Sequence, residues 1–343
     1  MVKAIHVSEL KNHSGEDATV QGFVHTLRVQ SKIIFLILRD VTGIAQTVVE
    51  IKDPEVFEIA KNLSHESVVR ISGLVKDVPQ APGGFEIGVS SIEVLSVANP
   101  ELPIPIIEKG NEETEAPTRF DYRWIDLRKP EKTKIFKVWT ELEKGFRKYW
   151  DENGYTQLYS PSFMSTPSET GAEVFEVNYF DRKAYLAQSP QFYKQMGIAS
   201  GFERVFIAGP VFRAEESFTT RHMTEFTGWD FEIGFIDSHH DVMDQEEGMI
   251  VSGFENLKAK FPELDITVPS IPFPRIKMTE AKEILSKEGI ASSEDHDLSP
   301  EEERAICEYV KKEHNHEFVF ITDYHKSKSA FYHMRLEEGS DRS

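Results

Sequence analysis

The 343-residue chain contains a single cysteine, Cys307. One thiol excludes an intramolecular disulfide framework and suits a reducing compartment. The N-terminal stretch MVKAIHVSEL has no apolar signal core, and no run in the sequence approaches the roughly 18 apolar residues of a membrane-spanning helix. These absences favour a cytoplasmic protein that does not associate with a membrane.

Positive charge is also scarce. The chain has 39 Lys and Arg residues against 58 Asp and Glu residues, which gives a formal net charge of −19. A simple nucleic-acid binder is basic on its binding face. An acidic total argues against loose, nonspecific RNA binding but leaves room for discrete contacts, because the local field matters more than the sum. The hydrophobic fraction of 39% is ample for globular cores, and the length suggests two or three domains.

Residues 1–98 are dominated by short apolar or alternating runs separated by turn signals. The five runs cover 18–27, 33–40, 44–51, 67–75 and 84–97, and a helix-like stretch at 54–63 follows the third. Five strands with a helix between the third and fourth is the order of an OB-fold barrel. Another small β-barrel also fits this pattern.

Beyond residue 98 the composition changes twice. Residues 99–130 are rich in proline and acidic residues, which indicates an interdomain linker. Residues 131–343 alternate helical and strand patterns, which predicts an α+β domain. Its long first helix ends at Asn153-Gly154. The other expected elements are strands at 155–161, 183–190, 204–216 and 227–236, a helix at 240–261, and a helix start at 299–304.

The richest segment for chemistry is 212–235, FRAEESFTTRHMTEFTGWDFEIGF. Its two arginines, Arg213 and Arg221, suit a polyphosphate, because guanidinium makes bidentate contacts to phosphate oxygens and keeps its charge when buried. On an alternating strand, Asp230 and Glu232 share one face and could hold a cationic group. A surface hairpin with exposed ion pairs is the alternative.

Two further clusters carry polar side chains in suggestive places. In QSPQFYKQ (188–195), Gln191 and Lys194 share a helix face and could hold a carboxylate. In SETGAEVFEV (168–177), small residues surround Glu169 as in a substrate loop. A solvated helix start explains the first segment equally well, and an ordinary acidic loop explains the second better when that segment is taken alone.

The three clusters, in this order, resemble class II aminoacyl-tRNA synthetases of the subgroup that handles Asp, Asn and Lys. The helix ending at Gly154 and the strand ending at Pro161 resemble the first motif, a dimer-interface element. Residues 212–235 resemble the second motif, and YRWIDLRKP (122–130) resembles the entry signature of the subgroup. The resemblance spans essentially the whole chain. It implies an OB-fold anticodon-binding domain followed by an antiparallel sheet with flanking helices, and a homodimer.

The resemblance also implies roles for individual residues. Arg213 would contact the α-phosphate of ATP and the substrate carboxylate, as the main catalytic residue. The wider ATP site would comprise Arg213, Glu215, Arg221, His222 and Met223. The amino-acid site would comprise Glu169, Gln191, Lys194, Arg213 and Asp230. Lys194 favours L-aspartate, because its charge would be wasted on the neutral amide of asparagine.

The same resemblance indicates which tRNA is recognised. Phe35, Gln46 and Glu86 match positions that contact anticodon bases, although Phe35 also fits a core position of the second strand. His25 and Pro82 match relatives that accept both the aspartate and the asparagine tRNA, as in non-discriminating enzymes of the archaeal type. We therefore expect tRNA(Asp) and tRNA(Asn) as partners.

The resemblance further implies a third motif and acidic Mg²⁺ ligands beyond Ser343. ATP with Mg²⁺ is the family expectation, but no metal ligands are expected within this chain, which would be weakly active or inactive alone. Three alternatives remain open at this point. They are an asparagine-specific synthetase, a paralogue making free asparagine, which residues 1–98 disfavour because such paralogues lack the anticodon domain, and a tRNA-binding fragment without catalysis.

Overall fold

The computed structural model describes residues 3–108, 113–168, 174–215, 222–292, 294 and 296–343. The chain divides into two compact units, Met1–Lys129 and Pro130–Ser343. The segment expected to be a linker, 99–130, therefore belongs to the first unit up to Lys129. It contains two short helices, α2 (Ala116–Asp121) and α3 (Arg123–Asp126).

The first unit is built on a closed five-stranded barrel, so the predicted OB-fold is confirmed. Its elements are β1 (Asp17–Val29), β2 (Ile33–Asp40), β3 (Gly43–Glu50), α1 (Pro54–Lys61), β4 (Val68–Asp77) and β5 (Phe85–Ser96). The strands follow the spatial order β1-β2-β3-β5-β4. Asp53 caps α1 by accepting a hydrogen bond from the Val56 N–H, and Pro54 occupies its first turn.

Alternation along the strands separates the core from the outer surface. In β2, Ile34, Leu36 and Leu38 are fully buried in the barrel core. Phe35 and Ile37 lie between them and are only partly buried, because successive side chains point to opposite faces. Phe35 is thus on the outer surface of the barrel, and its interpretation as a core residue is wrong.

The segment before Lys129 has a buried polar centre of its own. Lys129 is 1% exposed and Asp126 is completely buried, with 3.2 Å between Lys129 Nζ and Asp126 Oδ1. Glu108 is a second carboxylate partner of the same ammonium. Burying an ammonium is costly unless it is paired, so these three residues fix the end of the first unit.

The second unit contains short strands and longer helices. Its elements are α4 (Pro130–Glu152), β6 (Thr156–Gln157), β7 (Phe163–Met164), β8 (Glu176–Tyr179), β9 (Arg182–Leu186), α5 (Gln191–Ala199), β10 (Arg204–Phe212), β11 (Glu225–Ile233), α6 (His239–Lys260), β12 (Arg275–Lys277), α7 (Met278–Lys287), α8 (Pro300–His314) and β13 (Phe320–Thr322). The strands form the sheets β11-β10-β6, β7-β9-β8 and β12-β13. The β10–β11 pair is antiparallel, as the predicted class of fold requires.

Helices α4 and α6 cross closely over one face of the central sheet. A side chain at Gly145 would place its Cβ 2.5 Å from Gly253 Cα, so the crossing needs glycine. Ser252 Oγ donates to the Gly145 carbonyl at 2.8 Å. Below this crossing, Trp150 stacks on Phe206 with ring centroids 4.2 Å apart. This aromatic layer attaches the helices to the sheet.

The apolar side chains of α4 fall into two groups. Phe146 and Tyr149 pack against the α6 glycines, where an added Cβ would meet their rings at 2.4–2.5 Å. Ile135, Phe136 and Trp139, in the N-terminal half, are 49%, 40% and 60% exposed. The first group is therefore core, and the second is an uncovered apolar surface.

A buried ion pair joins α7 to α8. Glu302 is 1% exposed and accepts a hydrogen bond from Lys282 Nζ at 2.7 Å. Lys282 also donates to the carbonyls of Glu294 and Asp297, and the Ser299 N–H donates to Glu302 at 2.7 Å. Burial alone would raise the pKa of Glu302, but these donors lower it to about 2. The network also completes the capping box that begins α8.

We predict that Glu302→Gln destabilises the second unit by about 3–5 kcal/mol, because it leaves the Lys282 ammonium buried without a counter-charge. Chemical denaturation measures this loss. Lys312→Met, which removes an exposed ion pair with Glu313, serves as the control and should change little.

The pH dependence has a definite sign. The pKa of Glu302 in the folded protein, about 2, lies below its ordinary value of 4.5. The stabilisation is therefore complete above the ordinary value and is lost as the pH falls toward the folded one. If Glu302→Gln showed the same acid sensitivity as the unaltered protein between these values, the ion pair would not be its source.

Candidate functional site

The central hairpin separates an aromatic face from a polar one. In the antiparallel register, Phe206 pairs with Phe231 and Ile207 with Asp230. Trp229 and Phe231 pack against the aromatic layer under α4 and α6. Alternation therefore turns Asp230 and Glu232 to the opposite face, as predicted from their spacing.

Helix α5 covers part of this polar face and brings Lys194 to it. Gly197 is buried on the sheet side of α5, where an added Cβ would lie 2.7 Å from Leu158. Lys194 precedes Gly197 by three residues on α5. Its Nζ lies 3.3 Å from Asp230 Oδ1 and 3.7 Å from Glu232 Oε2. The Lys194 side chain is only 12% exposed. A largely desolvated ammonium thus sits between two carboxylates.

This cluster carries more negative than positive charge. Burial raises the pKa of Glu232, the nearby Lys194 counteracts the rise, and the charge of Asp230 adds to it. Glu232 is accordingly easier to protonate than an exposed glutamate. The alternating spacing predicts that Asp230 and Glu232 could hold a cationic group, but their pairing with Lys194 depends on the α5 contact, which no spacing rule supplies.

The floor of the site is a pair of glycines. Gly209 on β10 pairs directly with Gly228 on β11. A Cβ at Gly209 would meet nothing within 4 Å, whereas one at Gly228 would lie 2.9 Å from Asp230 Oδ2. The absence of side chains here leaves a hollow in front of Asp230. The lining residues of this hollow include Ser160, Ala187, Ser189, Pro190, Ile207 and Val211.

Arg213 stands just beyond the C-terminal end of β10. Its backbone N–H donates to the Thr224 carbonyl at 3.0 Å, which ties it to the approach of β11. Its guanidinium lies over the Phe226 ring, 5.5 Å from the centroid. Nε of Arg213 is buried and has no hydrogen-bond partner among the described residues. A buried, unpartnered guanidinium N–H is a donor prepared for an anionic ligand.

Three other residues expected around ATP, Glu215, His222 and Met223, lie near the same hairpin end. His222 Nε2 is 3.7 Å from Glu215 Oε2, and Met223 is 63% exposed. Arg221 and Glu169, two further predicted site residues, lie outside the described part of the chain. The structure therefore brings Arg213, Glu215 and His222 to one region.

Gln191 opens α5, one turn before Lys194, and its side chain is partly buried. Its backbone N–H donates to Ser189 Oγ at 3.3 Å, which fixes the first turn. The preceding Gln188 is buried and accepts a hydrogen bond from the Ser168 N–H at 3.2 Å. This buried amide was missed in the sequence, where nothing distinguishes it from an exposed glutamine.

On the barrel, the predicted anticodon residues share the outer surface. Gln46 on β3 and Glu86 on β5 pair in register, and Gln46 Nε2 donates to Glu86 Oε2 at 2.7 Å. Phe35 pairs with Val48, two residues from Gln46 on the same face. An aromatic ring beside an amide and a carboxylate provides stacking and base-edge contacts.

The two residues expected to determine tRNA selectivity, His25 and Pro82, differ in secondary structure and in their contacts. Pro82 begins a short 3₁₀ turn, Pro82–Gly84, that leads into β5. His25 on β1 is half-buried, and its Nδ1 lies 2.6 Å from Nη1 of the buried Arg39. Burial lowers the pKa of His25, and the charge of Arg39 lowers it further.

The described part of the chain contains neither a metal cluster nor a membrane-spanning helix. No group of three or more His, Cys, Asp or Glu side chains there is arranged to hold a metal ion. Within the same residues, no helix is both long and apolar enough to cross a membrane. The described residues thus do not supply a magnesium site.

Comparison with known families explains the combination of barrel and hairpin site. A family model for OB-fold nucleic acid binding domains matches residues 18–95, and one for class II tRNA synthetases (D, K and N) matches residues 115–343. The chain belongs to the class II aminoacyl-tRNA synthetases. The fold class and the type of enzyme expected from the motifs are thereby confirmed.

Individual relatives of this synthetase agree with the family. It is 37% identical over 332 residues to the aspartate–tRNA(Asp/Asn) ligase of Archaeoglobus fulgidus, covering 94% of this chain and 75% of the relative. It is also 37% identical to the aspartate–tRNA(Asp) ligase of Thermoplasma volcanium, covering 96% and 77%. The asparaginyl-tRNA synthetase of Pyrococcus horikoshii with asparaginyl-adenylate superposes with a TM-score of 0.90 at 32% identity, covering 100% and 79%.

Proposed function

We propose that this synthetase activates L-aspartate with ATP and transfers the aspartyl group to tRNA(Asp) and tRNA(Asn). The observation that carries the choice of amino acid is the buried Lys194, held between Asp230 and Glu232. A largely desolvated ammonium beside Asp230 attracts a substrate carboxylate strongly, since water screens neither charge fully.

The two acids suit this role because they hold Lys194 in position. Asp230 is the nearer partner at 3.3 Å. Glu232, whose pKa is raised by burial, can take up a proton when a second carboxylate enters. The ammonium would then face Asp230 and the substrate side chain. A neutral asparagine amide would leave part of this charge uncompensated.

Arg213 suits the reacting phosphate. Its unpartnered Nε and its platform on Phe226 would hold the α-phosphate of ATP and the aspartate α-carboxylate together. An oxygen of that carboxylate attacks the α-phosphorus, and pyrophosphate leaves, giving aspartyl-adenylate. The terminal ribose hydroxyl of the tRNA then attacks the aspartyl carbonyl, and AMP leaves. Charge stabilisation and positioning supply the catalysis.

The remaining predicted site residues complete this assignment. Gln191 and Glu169 would hold the amino acid, and Glu215 would lie near the adenine. Arg221, His222 and Met223 would lie along the rest of ATP. Mg²⁺ is the usual companion of ATP in phosphoryl chemistry, where it neutralises phosphate charge. We expect the reaction in the cytosol.

Relatives support aspartate over the asparagine alternative. Relatives at 35–39% identity are named aspartate–tRNA ligases, whereas the superposed asparaginyl-tRNA synthetase of P. horikoshii is 32% identical. The aspartate–tRNA ligases differ in the tRNA for which they are named. The A. fulgidus relative is named for tRNA(Asp/Asn), and the T. volcanium relative is named for tRNA(Asp) alone. Here His25 and Pro82 favour acceptance of both tRNAs, with the barrel surface around Phe35, Gln46 and Glu86 contacting the anticodon.

The exposed half of α4 suits a homodimer. Ile135, Phe136 and Trp139 form a contiguous apolar patch, with the Phe136 and Trp139 rings 5.4 Å apart. Exposed aromatic patches of this kind mark interaction surfaces. A second copy of the chain is the proposed occupant, because this helix matches the dimer-interface motif of the family.

For amino-acid choice, we predict that Lys194→Met weakens L-aspartate binding by about 100-fold, because losing one member of a desolvated charge pair costs about 2–5 kcal/mol. Titration calorimetry with aspartate and with ATP measures both affinities, and ATP affinity should be retained. Lys183→Met, which removes an exposed pair with Glu176, is the control. Unchanged aspartate affinity in Lys194→Met would refute the assignment.

For tRNA choice, we predict that purified tRNA(Asp) and tRNA(Asn) both bind and that any aspartylation, which is expected to be slow, occurs on both. The double variant His25→Trp/Pro82→Lys should lose tRNA(Asn) selectively. Filter binding, pyrophosphate exchange and charging are measured side by side. If aspartyl-tRNA(Asp) formed and aspartyl-tRNA(Asn) did not, the proposed acceptance of both tRNAs would be wrong. If the chain bound tRNA but gave no pyrophosphate exchange, an RNA-binding role without catalysis would be favoured.

For assembly, we predict that Trp139→Glu converts a dimer to a monomer, because a carboxylate cannot be buried unpaired in an apolar interface. Sedimentation velocity gives the mass. Tyr159→Glu, at a ring that is 83% exposed on another segment, is the control. A chain that is already monomeric without substitution contradicts the proposal.

A further inference from the structure

A buried ion pair lies directly behind His25 on the barrel. Arg39 is 5% exposed and Glu66 is 3% exposed. Their side chains make two parallel hydrogen bonds, both 2.8 Å long. Such a bidentate pair is rigid, because both planar groups are fixed in one geometry. Arg128 adds a third donor to Glu66 at 3.0 Å.

The Arg39 guanidinium also contacts the His25 ring. Nη1 of Arg39 lies 2.6 Å from Nδ1 of His25. A guanidinium can only donate hydrogen bonds, so Nδ1 must carry the lone pair and act as acceptor. In a neutral imidazole the proton then resides on Nε2. The hydrogen-bond geometry thus selects one tautomer.

The backbone and surroundings of His25 hold the ring in this state. The His25 carbonyl accepts a hydrogen bond from His65 Nδ1 at 3.0 Å. The charged or titratable groups facing the ring are Arg39, Glu66 and His65. Burial, Arg39 and His65 lower the pKa of His25, and Glu66 opposes them. Within the described residues Nε2 has no hydrogen-bond partner and is not among the buried polar atoms.

We propose that Arg39 and Glu66 are positioning residues for tRNA recognition, which lock His25 as a neutral imidazole that presents Nε2–H to a hydrogen-bond acceptor on an unpaired base. This inference rests on the proposed function, in which His25 faces the tRNA. It assigns His25 to base reading rather than to phosphate binding, because a neutral donor adds nothing to the electrostatic attraction of the backbone.

The tautomer is tested without tRNA. Long-range ¹H–¹⁵N NMR of the ¹⁵N-histidine-labelled chain distinguishes protonated from unprotonated ring nitrogens, and the His25 signals are those that vanish in His25→Gln. We expect an unprotonated Nδ1 and a protonated Nε2 near neutral pH. A protonated Nδ1 would overturn the proposal, whatever the tRNA measurements give.

The contribution to recognition is tested with conservative substitutions. His25→Asn places its amide near the Nδ1 position, and His25→Gln extends a donor toward the Nε2 position. We expect His25→Asn to weaken tRNA(Asn) binding about threefold to tenfold, the effect of one hydrogen bond, and His25→Gln to restore most of it. The ratio of the tRNA(Asn) affinity of the unaltered chain to that of His25→Asn should stay constant from about pH 6 to 8. A ratio that grows as the pH falls would indicate a charged imidazolium and contradict the proposal.

The role of the ion pair is tested by its removal as a unit. Arg39→Met/Glu66→Met replaces a buried pair by apolar side chains, which proteins often tolerate. We expect the same threefold to tenfold loss, with no further loss when His25→Asn is added, because coupled residues are not additive. Thermal unfolding reports whether the barrel persists, and the NMR result stands if it does not. Additive losses in a folded barrel would show that the pair does not act through His25.

Failure of the unaltered chain to bind either tRNA would instead overturn the proposed function.

Discussion

The antiparallel register of β10 and β11 is the constraint on which the site depends. Trp229 and Asp230 are neighbours on β11, and successive side chains of a strand point to opposite faces of the sheet. Trp229 therefore lies in the aromatic layer beneath α4 and α6, and Asp230 lies on the other face. A slip of one residue would put the tryptophan into the hollow and bury the carboxylate under the helices. The aromatic layer therefore fixes which face of the hairpin carries the candidate site.

Much of this arrangement was predictable, because it follows from periodicity. The five strands of the barrel, α1 and the shared face of Asp230 and Glu232 all follow from repeats of 2 and 3.6 residues. The outward position of Phe35 also follows from alternation, since Ile34 and Leu36 are core. Where a single element determines the outcome, local pattern is sufficient.

The rest was not predictable, because it depends on contacts between distant segments. Lys194 meets Glu232 only because Gly197 lets α5 approach the sheet. Trp139 and Phe146 are both apolar residues of α4, yet Trp139 is exposed whereas Phe146 packs against Gly253 of α6. Likewise, nothing near Arg39 in the sequence reveals that Glu66 is its partner. Burial of a charge is decided by tertiary neighbours.

The acidic total of −19 makes these local arrangements necessary rather than incidental. A protein that repels polyanions over long distances cannot obtain RNA affinity from counterion release alone. The positive groups proposed to bind substrate are shielded from water, as Lys194 is at 12% exposure and Arg213 is with its buried Nε. On the barrel, the proposed contacts of Phe35, Gln46 and a neutral His25 with bases involve no charged group. Under this proposal, selectivity comes from hydrogen bonds and stacking, which an acidic surface does not oppose.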